Sequence, residues 1–113
     1  MLSQVQLENI LEEAQQAAIS ASSQHIAKHG EGAMCGFAWV NIYRFNGEKI
    51  KGNTKIGRLL KKVGVRQDYT RAFSQWCNWY GGQSIDVKES GARAFADVLE
   101  QHGFTAYAGS RLD

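Results

Sequence analysis

The chain has 113 residues, enough for one hydrophobic core and too few for a second domain. Hydrophobic residues make up 43% and charged residues 21%, a globular balance that excludes a disordered or fibrous chain. The formal net charge of +2 is too small for the whole surface to act as a polycation. No apolar run approaches the roughly 20 residues of a bilayer span. Met1-Leu2-Ser3-Gln4 lacks the basic and apolar regions of a signal peptide, and two cysteines make no disulfide framework. The expectation is a single cytoplasmic domain over residues 1–113, with no membrane partner, metal or cofactor.

Ser3 is placed to cap a first helix by accepting an early backbone N–H. Leu7, Ile10, Leu11, Ala14, Ala18 and Ala21 recur at the spacing of one helical face. The helix should run to about His29 and stop at Gly30. Met34 to Phe45 is rich in aromatic and β-branched residues and reads as the main strand. Cys35, Phe37, Trp39, Asn41, Tyr43 and Phe45 would share one side, Gly36, Ala38, Val40 and Ile42 the other. Both sides are mostly apolar, so the strand should be covered on both, by helices or by helices and a partner chain. Gly36 and Ala38 should admit the Ala-rich first helix.

Asn46-Gly47 is a turn signal. Asn53 or Thr54 then caps a short amphipathic helix carrying Ile56, Leu59, Leu60 and Val63, which ends near Gly64. Phe73 to Trp79 reads as a strand, although Tyr69, Phe73, Trp76 and Tyr80 also fit helical spacing. Asp86 and Glu89 read as the capping box of a last helix over 86–102, closed by Gly103. Phe104 to Ala108 reads as a short strand and Gly109 to Asp113 as a tail. The order α-β-α-β-α-β, with about three strands packed with helices, predicts an α+β domain. It becomes α/β if helix 86–102 makes a right-handed crossover between parallel strands. An open sheet edge makes a homodimer a further expectation.

Charge is unevenly distributed. Between Arg44 and Arg71 nine Lys and Arg face only Glu48 and Asp68, and the rest of the chain is net acidic. Lys55, Arg58 and Lys62 would share one outward helical face with Lys61 beside them, next to a helix N-terminus that favours phosphate. The run from Gly47 to Thr54 approximates the phosphate loop GxxxxGK[ST], with Asn53 in place of the lysine that reaches the β- and γ-phosphates. Nucleotide hydrolysis is therefore not expected, whereas anion binding at Gly52, Asn53 and Thr54 is. Trp79 and Tyr80, before Gly81-Gly82, should form an exposed aromatic loop, while Trp39 and Trp76 fill the core. Arg93 and Arg111 are candidate anion contacts outside the basic segment, with Asp97 an alternative partner for Arg93 at i,i+4. His25 and His29 stand at a metal-ligand spacing, and either could activate Cys35 as a nucleophile. The blander reading makes the histidines favourable at a helix C-terminus and the cysteines small hydrophobes.

Four strings, Cys35-Gly36-Phe37-Ala38-Trp39-Val40, Gly52-Asn53-Thr54-Lys55, Gly91-Ala92-Arg93-Ala94-Phe95-Ala96 and Gly109-Ser110-Arg111-Leu112-Asp113, resemble a family of small tailed-bacteriophage proteins of no established activity. The resemblance covers Met34 to the C-terminus. It implies a viral protein acting in the bacterial host cell and carries over no catalytic residue. Phage proteins of this size include binding proteins that modulate host pathways such as antiviral defence. Three functions are then open. The first is a non-enzymatic module recognising an anionic ligand, a nucleotide or nucleic acid. The second is an inhibitor that grips a host protein through the aromatic loop 76–82. The third is a small enzyme using Cys35.

Overall fold

The computed structural model describes residues 2–113. Helix α1 (Gln4–His29) starts where the capping residue predicts: Ser3 Oγ accepts from the Gln6 amide, and the Gln6 side chain accepts from the Ser3 amide. It ends at Gly30, whose φ of 72° is left-handed and whose amide donates to the Ile26 carbonyl. Strand β1 (Gly36–Tyr43) follows, then α2 (Lys55–Lys62), β2 (Arg66–Gln67), β3 (Phe73–Trp76), α3 (Ile85–Gln101) and β4 (Thr105–Leu112). Three helices and one four-stranded sheet make the domain α+β, as expected.

The sheet order is β2-β3-β1-β4, and every neighbouring pair is antiparallel. Strands β3 and β4, which α3 connects, do run parallel to each other, but β1 lies between them and bonds to both. The sheet therefore has no parallel ladder, and the α/β alternative is corrected. The fourth strand, β2, falls between the predicted elements. It has only two residues and no alternation to reveal it. The supposed C-terminal tail is also ladder: Gly109 to Leu112 pairs with Trp39 back to Gly36. Strand β3 ends at Trp76 rather than Trp79. The cap of α3 is Ser84, whose Oγ accepts from the Val87 amide, so Asp86 falls in the first turn.

Burial separates the two faces of β1 cleanly. Gly36, Ala38, Val40 and Ile42 are buried, whereas Phe37, Trp39, Asn41 and Tyr43 are half-buried. The buried face joins Phe73, Phe95, Leu99 and the α1 stripe Leu7, Ile10, Ala14 and Ala18 in one core. The helix that packs on β1 and β4 is α3, and α1 packs along α3. This corrects the expectation that α1 approaches Gly36. A side chain at position 36 would meet Ile85 of α3 at 2.6 Å and the Arg111 carbonyl at the same distance. No element covers the second face among the described residues, so the expectation of two covered faces is also corrected.

Candidate anion-binding site

The turn at Asn46-Gly47 and the return through Lys49 bring the basic segment back along the end of the sheet, with Lys49 bridged to Tyr43. Lys51 and Gly52 then run under the first turn of α2. Thr54 is the cap: its hydroxyl accepts from the Gly57 amide and donates to the Lys51 carbonyl at 2.6 Å. A side chain at Gly57 would collide with that carbonyl at 2.2 Å, so glycine there lets helix and loop touch.

The loop and the β2–β3 hairpin border a half-open cavity of about 480 Å³. Lys49, Lys51, Lys61 and Arg71 line it, with Gly52 and Gln67. No carboxylate lines it, and among the described residues the single ion pair is His102 with Glu13, remote from it in sequence and lining. The four cations are therefore not neutralised by the protein. Lys49 Nζ donates to the Thr70 carbonyl at 2.7 Å, and Gln67 Nε2 donates to the Arg71 carbonyl at 3.0 Å. Gly52 keeps the space open: a Cβ there would sit 2.7 Å from Lys61 Nζ and 2.9 Å from Gln67 Oε1.

Asp68 holds the hairpin behind this cavity. Its Oδ1 accepts from the Thr70 amide and hydroxyl and from the Ala72 amide, and its Oδ2 accepts from Ser74 Oγ. Burial acts to raise its pKa, but the hydrogen bonds from Thr70, Ala72 and Ser74 together outweigh it and lower the pKa below 3.8. The same turn places Arg71 at φ 67°, a left-handed conformation unusual for a side-chain-bearing residue.

The predicted residues fall into several places. Gly52 and Asn53 line the cavity. Thr54 spends its hydroxyl on the cap and, with Lys55, lines a different and mostly apolar cleft of about 490 Å³ alongside Phe45, Ile56 and Phe104. Arg58 and Lys62 are exposed on α2 and line neither space. The lysine of α2 that reaches the cavity is Lys61, the one set beside the predicted face. Helical spacing identified which lysines are exposed, but only the loop's return path decides which of them converge.

The tryptophans are a correction. Trp79 is 5% exposed and cannot anchor a partner as an exposed loop residue. Its ring packs on Phe95 with centroids 5.6 Å apart, and Nε1 donates to the Lys88 carbonyl at 3.1 Å. Gly91 makes room, since a Cβ there would lie 2.2 Å from the indole. Trp76, assigned to the core, is instead 47% exposed. Tyr80 is half-buried and its hydroxyl donates to the Glu31 carboxylate, a bond that raises the phenol above its usual value of 10.0. Arg93 is exposed on α3 and forms no ion pair with Asp97. Arg111 lies on the uncovered side of the sheet, its guanidinium 5.3 Å from the Phe37 ring centroid.

Cys35 is exposed, and no hydrogen bond links its thiol to a histidine. His25 and His29 lie against each other, ring centroids 4.9 Å apart. Among the described residues no cluster of three or more His, Cys, Asp or Glu could hold a metal ion, and no helix is long and apolar enough to cross a membrane. Comparison of the chain with protein-family models, curated proteins and solved structures finds no match.

Proposed function

We propose that this chain is a phage-encoded, non-enzymatic binding module of the bacterial cytoplasm that captures a phosphate-bearing ligand, a nucleotide or nucleic acid, and so modulates a host pathway. The observation that carries the reading is the cavity at Gly52, where Lys49, Lys51, Lys61 and Arg71 converge with no carboxylate among them. Uncompensated cations in a concave site focus potential and draw anions in. A space of this size suits a small polyanion or a few phosphates of a longer one.

The test is titration with tripolyphosphate and a panel of nucleoside triphosphates, followed by heat flow and by melting temperature. Binding to the folded form should raise the melting temperature with ligand concentration. Lys51→Ala combined with Lys61→Ala should weaken binding at least about tenfold, because hydrogen bonds to charged groups contribute about 1.5–3 kcal/mol each. Unchanged affinity in that double variant would remove the reading.

A further inference from the structure

The uncovered face of the sheet is a feature that the cavity does not explain. In an antiparallel ladder, directly paired residues project to the same side. Asn41 pairs with Ser74 and Tyr107, Trp39 with Trp76 and Gly109, and Phe37 with Arg111. One face therefore gathers Phe37, Trp39, Tyr43, Trp76 and Tyr107. Trp39 and Trp76 lie 5.0 Å apart, Tyr43 and Tyr107 5.7 Å, and Phe37 stands edge-on to Trp76. Trp76 is 47% and Tyr107 57% exposed. The Trp39 indole lies across the bare backbone of Gly109, where a Cβ would be 2.5 Å from Nε1. The Trp39 ring lies between this glycine and the Trp76 ring, and is half-buried.

Cations adjoin one end of this face. Arg111 and Lys88 approach Phe37 at 5.3 and 5.6 Å. Arg66 is exposed at the register position of Ser74. Lys49 belongs to both regions, because it lines the cavity and bridges to Tyr43 at the end of the aromatic face. Asp113 continues the ladder beside Cys35, Glu48 precedes Lys49 in the turn, and Asp68 is engaged by the hairpin.

We infer that this face binds single-stranded nucleic acid, its bases stacking on Trp39, Trp76 and Tyr107 while its phosphates follow Arg111, Arg66 and Lys49 into the cavity. Exposed aromatic planes with interleaved cations are the means by which proteins hold unpaired bases. A duplex keeps its base faces stacked inside and would offer the platform only sugar and phosphate. The inference deepens the phosphate-capture reading and rests on it for the phosphate path.

The experiment uses fluorescein-labelled twelve-residue oligothymidine and oligouridine, a blunt duplex of the same length, and tripolyphosphate, all with the full chain. Both single strands should bind and quench tryptophan fluorescence, and the duplex should not compete. A stronger arm for one of them identifies DNA or RNA as the preferred source. Trp76→Ala and Tyr107→Ala remove exposed rings, and each should weaken oligonucleotide binding about 5- to 150-fold while leaving tripolyphosphate binding unchanged. With three phosphates neutralised, log K should fall against log salt with a slope of about −2. Oligonucleotide binding that ignores Trp76→Ala and Tyr107→Ala but fails in Lys51→Ala with Lys61→Ala overturns the stacking inference and keeps the cavity. A wild-type chain that binds neither the oligonucleotides nor tripolyphosphate overturns both readings. A wild-type dimer that Trp76→Ala dissociates, with no oligonucleotide bound, replaces nucleic acid by a second copy.

Discussion

Two tryptophans in this protein lie against glycines, one inside the domain and one outside. Trp79 rests on Gly91 of α3, is 5% exposed, and donates its N–H to the Lys88 carbonyl. Trp39 rests on Gly109 of β4 and is half-buried, with no helix over it. The local device is the same: a missing side chain lets an indole lie close to backbone. The consequences differ because Phe95 closes over the first ring, whereas the second ring remains one member of an aromatic surface. Nested and covered, an indole is core. Nested without a helix over it, it stays at the surface among other rings.

The largest expected contrast is between residues on the two faces of β3. Phe73 is 0% exposed, so Phe73→Ala should cost about 3–5 kcal/mol in urea unfolding by losing transfer energy and leaving a cavity. Trp76→Ala, on the other face, should cost less than half as much while weakening oligonucleotide binding about 5- to 150-fold. Equal losses would mean that the outer face is structural and would erase the comparison.

The glycine pair sharpens it. Gly91→Ala drives a methyl to within 2.2 Å of a trapped indole and should destabilise by about 1–3 kcal/mol. Gly109→Ala makes a similar clash with Trp39, but that ring can swing toward solvent. Its melting temperature should therefore change less than that of Gly91→Ala, while oligonucleotide affinity falls because the ring no longer lies flat.

A smaller effect is expected at Asp68, which ties the hairpin between cavity and sheet. Asp68→Ala should cost about 1 kcal/mol near neutral pH through lost hydrogen bonds to Thr70, Ala72 and Ser74. The folded pKa lies below the unfolded one, so this stabilisation is present above pH 3.8 and is lost as pH falls through the folded value. The stability difference between wild type and Asp68→Ala should accordingly shrink in acid, as followed by urea midpoints from pH 6 to about pH 2.5. A difference that grows in acid would reverse the sign of the shift.

The three helices, the position of β1, the three glycines that follow the helices and the concentration of basic charge were legible in the chain, because each rests on residue type or on near neighbours along one element. The exposed and buried tryptophans were not. Trp76 and Trp79 are three residues apart, and local pattern treats them alike. The fate of Trp79 depends on Gly91, twelve residues further on, and that of Trp76 on Trp39, across the sheet.

The same division holds for the candidate site. By itself the sequence determined that positive charge collects between Arg44 and Arg71, and that Gly52 sits within it. Only the tertiary structure decided that Lys61, rather than Lys55, Arg58 or Lys62, meets Lys49, Lys51 and Arg71 around that glycine. Helical periodicity fixes the direction of a side chain relative to its own helix. What it meets is set by a loop and a hairpin whose path follows long-range pairing and the hydrogen bonds of Asp68.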